Sequence, residues 1–508
     1  MGPVKKRHQV EELIDWRAVL GPLLSSSSSA QPSSVCADEL DELQRATFEH
    51  VRRAVRPRPS LPTDELPFPC EEVAWFPPGR YLTAQASPRL RPGAFVQYAA
   101  GDYYIQDAGS MLALALCDVQ PGEWVCDTCA SPGGKATGLL EQLGGTGVLV
   151  ANEVIRSRLS LLTVALERTG YGNQLVTNLE VEQLAQLCGP VFDCVLVDAP
   201  CTGQTMVARG KQSMAAFGAA QIAHSSARQQ RILRAASGLV KLGGRLVYST
   251  CAYSFAENEA IVMQFAGAHP GWQLSAQTGL EAWSSPVAAG CYRVWPHRHG
   301  CSGAFAALLV NHAEGGCEAG ELAPPRLRTR CPWQELERLP VELAGLLASK
   351  PSVCEPSGCG QGKLWLSADQ LHRFDQTLPA EWIRSAVAGT EMARRTVEHR
   401  GERWAPSFGA SQLRCVEDLP TSDGAQRAHA PLSTAGWVEL DDAEVIRYVA
   451  GESLRNVAGG VNEAKGGRGD SSWCMVAWRG RPLGWGKLTQ GGLKNHFPKI
   501  LRQPNSVC

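Results

Sequence analysis

Two of the eighteen cysteines in this chain stand where side chains do chemistry. Cys201 closes the run FDCVLVDAPC, directly after Asp198-Ala-Pro, and Cys251 closes GGRLVYSTC. Both runs are short and apolar, so each reads as a buried strand with its cysteine at the carboxyl tip. Neighbouring parallel strands lie about 5 Å apart, which lets both thiols and Asp198 face one cleft. A lone cysteine is usually inert packing. Two at adjacent strand tips beside an acid form a candidate nucleophile site. One reaction that needs a thiol, an acid and a methyl donor together is methylation of cytosine at carbon 5. A thiolate adding to carbon 6 breaks the aromaticity and makes carbon 5 enamine-like. An acid at the nitrogen 3 edge stabilises the adduct, and a second thiol can assist the late elimination. The residues alone leave open which thiol attacks. A disulfide oxidoreductase wants C-x-x-C at a helix start, which this pair lacks. Cys126 and Cys129 do form a C-x-x-C, but with no second pair at zinc spacing and no nearby histidine, so no metal site is expected.

These side chains need a frame. From about 101 to 312, short apolar runs (EWVCDTC, GVLVANE, NQLVTN, FDCVLVDAP, GGRLVYSTC) alternate with helical stretches such as IRSRLSLLTVALERTG and AHSSARQQRILRAASGLV. That alternation predicts an α/β domain with a parallel sheet covered on both faces. Two later runs, YRVWPHRHG and AFAALLVN, predict a hairpin that finishes the sheet. In such a sheet ligands bind beyond the carboxyl ends of the strands, and here five successive tips are polar. The first enters Asp127-Thr-Cys129-Ala130-Ser131-Pro132-Gly133-Gly134-Lys135, a tight turn that lets backbone approach a ligand. The second ends at Glu153, an acid placed to accept from ribose hydroxyls, or simply favoured by a helix N-terminus. The third ends at Asn178 and Glu180, either of which can meet adenine or serve the turn. G-x-G-x-x-G and GxxxxGK[ST] are both absent, which disfavours a dinucleotide oxidoreductase and a phosphate-loop ATPase. An adenosine cofactor without pyrophosphate fits better.

The rest of the chain is organised around that unit. At 508 residues, about three domains are expected. Residues 1–34, with a serine run at 25–29, read as a flexible lead-in, and proline-rich 35–100 as a small packed domain. Residues 313–435 read as linker and intermediate module, and 436–508 as a small mixed β domain. No run of about 18 apolar residues exists and no apolar stretch follows the charged N-terminus, so neither a membrane span nor a secretory signal is expected. The scattered cysteines read as reduced thiols in a cytoplasmic protein. A net charge of −1 disfavours nucleic acid on average. Yet Ser471 to Cys508 holds no acid while carrying Arg479, Arg481, Lys487, Lys494, Lys499 and Arg502, as suited to binding phosphate as to a plain solvated face.

The motifs YYIQDAGSML, DTCASPGGK, ANEVIRSR, DAPCTG, YSTCAYSFAENEA, WPHRHGCSGAFAALL and GWGKLTQGGLKNHFPKILR occur in order over about 80–508. On these the chain resembles the RsmB/RsmF and Sun-type RNA cytosine-5 methyltransferases, nearest the RsmF type. The resemblance implies a Rossmann-like class I methyltransferase domain and a C-terminal PUA-like β-rich RNA-binding domain. It implies S-adenosylmethionine held by Cys129, Ala130, Ser131, Pro132, Gly133, Gly134 and Lys135 on its methionine part, by Glu153 on its ribose and by Asn178 or Glu180 near adenine, with Asp198 between donor and base. It makes Cys251 the nucleophile and Cys201 the product-release thiol, and points Lys487, Lys494, Lys499 and Arg502 toward RNA. Ribosomal RNA of the small subunit is the favoured partner, transfer RNA the alternative, and the expected protein is a monomer. A DNA cytosine methyltransferase would attack with the Pro-Cys thiol and need a large recognition insert. An RNA-binding assembly factor with an idle pocket would not need both cysteines, Asp198 and Lys135. Three departures stand out: Ala136 where the family has threonine, Glu180 where it has aspartate, and Gln204-Thr205 in a stretch that often reads S-G-E-G.

Overall fold

The computed structural model describes residues 14–25, 35–49, 51–83, 90–207, 209–312, 333–336, 362–375, 377–398, 401–407, 409, 412, 437–455, 457 and 473–508. Its centre is one sheet built from β1 (Trp124–Asp127), β2 (Val148–Asn152), β3 (Gln174–Thr177), β4 (Phe192–Asp198) and β5 (Val240–Thr250), all parallel, in the order β3-β2-β1-β4-β5. The order reverses between β1 and β4, the point where such sheets open a ligand crevice. Beyond β5 run β6 (Trp272–Leu274), β7 (Cys291–Val294) and β8 (Ala304–Asn311). β8 lies antiparallel to β5 and also pairs with β6 and β7, so the β7–β8 hairpin expected from sequence does complete the sheet.

Strand side chains alternate between two cores, because successive residues point to opposite faces. Val125, Leu149, Val176, Leu196 and Val247 join the core under helices α1 (Gly134–Leu143) and α2 (Leu159–Glu167). Cys126, Val150, Leu175, Val197 and Tyr248 join the core under α3 (Val181–Cys188), α4 (Ala219–Ser237) and α5 (Glu259–Ala268). Burial on both sides explains why these strands read as nearly continuous apolar runs. The first turn of α5 is tied to β7 by a buried ion pair, Glu259 to Arg293, with contacts of 2.7 and 2.5 Å.

Before the main sheet, Ala54–Pro57, Cys70–Val73, Phe76–Leu82 and Tyr103–Ile105 form a four-stranded antiparallel sheet. Of the lead-in, 14–25 is ordered: Asp15 caps the helix Trp16–Leu20, and Trp16 packs on Phe217 and Tyr253. Serines 26–29 lie outside the described residues. Most of 313–435 does too, but 334–336 and parts of 362–406 make a five-stranded antiparallel sheet. Ala386–Ala388 adds an antiparallel edge strand to β3, and Trp382 stacks on Phe192. The C-terminal unit is a four-stranded sheet, Trp437–Glu439, Trp473–Trp478, Arg481–Thr489 and Gly492–Asn495, with helix Asp442–Ala450. No helix among the described residues is long and apolar enough to cross a membrane, and the described cysteines are all free thiols.

Candidate active site

Register brings the two thiols together. Asp198 on β4 pairs with Ser249 on β5, so Cys201 and Cys251 both emerge just beyond the same level of the sheet. Their sulfurs are 3.2 Å apart. Each loop is pinned from behind by buried polar side chains. Glu257 accepts from Thr202 N–H at 2.9 Å, Thr202 Oγ1 at 2.6 Å and Gln229 Nε2 at 3.0 Å, fixing the turn after Cys201. Asn258 accepts from Thr250 Oγ1 at 2.5 Å and donates to Ala252 O at 2.9 Å, fixing the turn after Cys251. Gln204 bridges both turns: its carbonyl accepts from Tyr253 and Ser254 N–H, and its amide donates to Ala216 O. The absence of an acid at this position therefore matters little, because the site uses a donor and an acceptor together.

The two thiols are electrostatically unequal. The contact with Cys201 holds Cys251 below the ordinary thiol range; burial works against this, and the Lys135 ammonium works with it. The same contact, then burial and the charge of Glu257, push Cys201 well up. Of the two, Cys251 is the better thiolate. Lys135 sits 2.8 Å from Asp198 Oδ2, while Asp198 Oδ1 accepts from Ser249 Oγ at 2.9 Å. Burial opposes the Lys135 charge, but Asp198 more than compensates and its affinity for the proton rises. A cavity of about 70 Å³ lined by Lys135, Ser249, Cys251, Thr205, Arg209 and Phe305 opens over this cluster.

Asp127, Glu153 and Asp198 stand at the carboxyl ends of β1, β2 and β4, and Lys135 on α1 reaches Asp198. The loop 129–135 turns into α1 at Gly133, whose φ of +111° and whose missing Cβ, which would stand 2.8 Å from the Ala165 Cβ, both demand glycine. Thr137 Oγ1 donates to Gly133 O at 2.7 Å, so the hydroxyl lost at Ala136 is replaced one residue on. Glu153 is buried; it accepts from Ile155 N–H at 2.7 Å and meets Arg158 at 3.3 Å. Asn178 donates to Glu153 O at 2.6 Å and Val154 O at 2.9 Å, against the same turn. Glu180 points elsewhere: it caps α3, with its N–H bonded to Gln183 Oε1 at 3.1 Å.

Sequence reasoning passed over several residues of this site. Asp127 is fully buried, its Oδ2 meets no partner among the described residues, and burial with the nearby Asp198 raises its pKa to about 7. An orphaned carboxylate oxygen in the crevice is what a cationic, amino-bearing cofactor would satisfy. Asn152 was hidden inside a strand; it bonds Thr128 O, Leu179 O and N, and Thr177. Arg56 reaches from the N-terminal sheet to Gly134 O at 2.7 Å and Glu141 at 2.6 Å. The polar tip of β1 was a signal for Asp127; nothing local marks Arg56.

The 16S rRNA methyltransferase RsmB/F family matches residues 113–310, and the methyltransferase RsmF PUA domain matches 437–503. The ribosomal RNA small subunit methyltransferase F of Erwinia tasmaniensis is 30% identical over 438 residues, covering 84% of each chain. The chain belongs to the RsmB/F methyltransferase family. The corresponding enzyme of Aeromonas hydrophila is 27% identical over 448 residues, covering 86% of each chain. Among solved structures, PH0851 superposes with a TM-score of 0.51 at 25% identity, covering 61% of this chain and 68% of that one.

In the PUA unit of this RsmB/F methyltransferase, Lys487 and Lys494 face each other directly across two strands, with Lys487 also 5.8 Å over the Trp473 ring. Like charges opposite one another are unfavourable, and the pair also depresses His496 after burial has done so. Lys499 is exposed on a short 3-10 turn. Arg502 is half-buried and donates to Phe497 O at 3.4 Å. Arg481 is committed to Asp102 at 2.8 Å and Glu65 at 2.6 Å, anchoring the unit to the N-terminal sheet, and Arg479 is held by Asp442 at 2.7 Å.

Proposed function

We propose that this methyltransferase methylates carbon 5 of a cytosine in small-subunit ribosomal RNA, in the cytoplasm, with Cys251 as the attacking thiol. The observation that carries the assignment is the 3.2 Å contact between Cys201 and Cys251 at adjacent strand tips beside Lys135 and Asp198, in surroundings that lower Cys251 and raise Cys201. Bound S-adenosylmethionine supplies the methyl group as an electrophile. Residues 129–135 are placed to hold its methionine part, with Asp127 Oδ2 available for its amino group. Glu153 would take the ribose hydroxyls, and Asn178, rather than the cap residue Glu180, would border the adenosine.

The Cys251 thiolate adds to carbon 6 of the flipped cytosine, forming a carbon–sulfur bond and passing electron density to carbon 5. Lys135 offsets the repulsion that Asp198 exerts on the Cys251 thiolate. Asp198 and Ser249 border the base at its polar edge. Once carbon 5 carries the methyl group, its proton leaves to a base and the carbon–sulfur bond breaks, returning the electron pair to sulfur. Cys201, holding a proton 3.2 Å from that sulfur, is placed to assist this release. The family relationship and the small-subunit RNA named for the relatives favour ribosomal over transfer RNA.

Incubation with 5-fluorocytosine-containing small-subunit RNA and, separately, transfer RNA tests this. Wild type and Cys201→Ala should form a covalent ribosomal RNA adduct, the latter also accumulating one on ordinary RNA, and Cys251→Ala should form none. An adduct with Cys251→Ala, or preference for transfer RNA, would overturn the assignment.

A further inference from the structure

A second cavity, of about 560 Å³, adjoins the catalytic one, and nothing in the reaction above uses it. The two share Asp107, Thr205, Arg209 and Ser302 as lining, so the larger begins where the smaller ends. Its volume falls within the roughly 300–1,000 Å³ typical of sites for small organic groups. Its far wall belongs to the N-terminal sheet and the segment leading into it, so the cleft exists only because that unit packs on the catalytic domain.

Its lining has three chemical features. Arg52 and Arg209 both line it: Arg52 is tethered to Glu71 and lies 4.2 Å over the Tyr81 ring, and Arg209 is tethered to Asp107. Both guanidinium groups are partly exposed, and surface pairs of this kind contribute only about 0–1 kcal/mol. An incoming phosphate can therefore share them at little cost. Ile105 is also in the lining, 39% exposed although large and apolar. At the threshold Thr205 is 3% exposed, and its Oγ1 makes no well-formed hydrogen bond among the described residues. Its hydroxyl also helps to lower Cys251, as the least of the causes acting on that thiol.

Flipping a cytosine out of its strand strips its neighbour of a stacking partner. That neighbour then needs an apolar surface for its base and cations for its phosphate. We infer that this cleft is the subsite for the ribonucleotide adjacent to the target cytosine: base on Ile105, phosphate between Arg52 and Arg209, and a polar edge at Thr205. The inference rests on RNA being the substrate.

The test uses full-length protein with small-subunit RNA transcript. Steady-state methyl transfer gives kcat and KM, and anisotropy gives the salt dependence of RNA affinity. Ile105→Asp should raise KM about tenfold, a loss of about 1.4 kcal/mol of binding, with kcat within about twofold of wild type. Arg52→Gln should lower the slope of log affinity against log salt by about 0.7, the value for one phosphate contact on a single strand. Arg52→Lys should restore it. Unchanged KM and salt slope in variants of normal thermal stability would overturn the subsite while leaving the function intact. A fall in kcat with unchanged KM would mark the cleft as structural and also overturn it. Failure of the wild type to methylate RNA would sink both readings.

Discussion

If the Cys251 thiolate is held by the proton on Cys201, removing that proton's carrier must make Cys251 harder to ionise. Cys201→Ala deletes one hydrogen bond to a charged sulfur 3.2 Å away. Such bonds contribute about 1.5–3 kcal/mol, so the Cys251 pKa should rise and its alkylation at neutral pH should slow by about tenfold or more. Cys201→Ser keeps a donor and should recover much of the shift. Lys135→Met should also raise the Cys251 pKa, because it removes the compensating cation and leaves Asp198 beside the sulfur. The assay is the pH dependence of iodoacetamide alkylation, followed by mass spectrometry on the peptide containing residue 251. The other twelve described thiols are thereby excluded from the readout. A Cys251 midpoint that stays put or falls in Cys201→Ala would refute the reasoning, since the proton would then rest on Cys251 and Cys201 would be the thiolate.

Two further expectations concern stability and RNA. Glu167 is buried against the backbone of Glu391, and burial followed by the Glu391 charge raises its pKa to about 8. An unfolded glutamate titrates near 4.3, so the folded state binds the extra proton between these values and stability falls as pH climbs through that window. Glu167→Gln should remove up to about 4 kcal/mol of this slope between pH 5 and pH 9; parallel urea-unfolding curves for the two proteins across that range would disprove it. In the PUA unit, Lys487→Glu with Lys494→Glu replaces the facing cations, and should weaken RNA binding and flatten its salt dependence by about 1.4, at about 0.7 per phosphate contact. An unchanged slope would remove these lysines from the RNA interface.

Much of the frame was written in local patterns. Period and polarity marked the five parallel strands, because strands buried on both faces must be apolar for their whole length and polar only at the ligand end. The same rule placed Asp198, Cys201 and Cys251 at strand tips. Patterns failed where structure is built from distant segments. The five-stranded sheet within 334–406 had weak periodicity. The role of Glu180 as a cap and of Asn178 against Glu153 depended on a turn whose path no short window specifies.

Residue types and spacing by themselves determined that two thiols, an acid and a nucleoside-binding crevice share one sheet edge. They did so because strand order and tip chemistry are short-range properties. Only the folded chain decided how the thiols differ. Their inequality comes from their mutual contact and from Lys135 on α1, Glu257 behind β5 and Thr205 on the loop after β4, each of these three more than 40 residues from one thiol or the other. Proton sharing depends on distances of a few ångströms, and sequence separation carries no information about those.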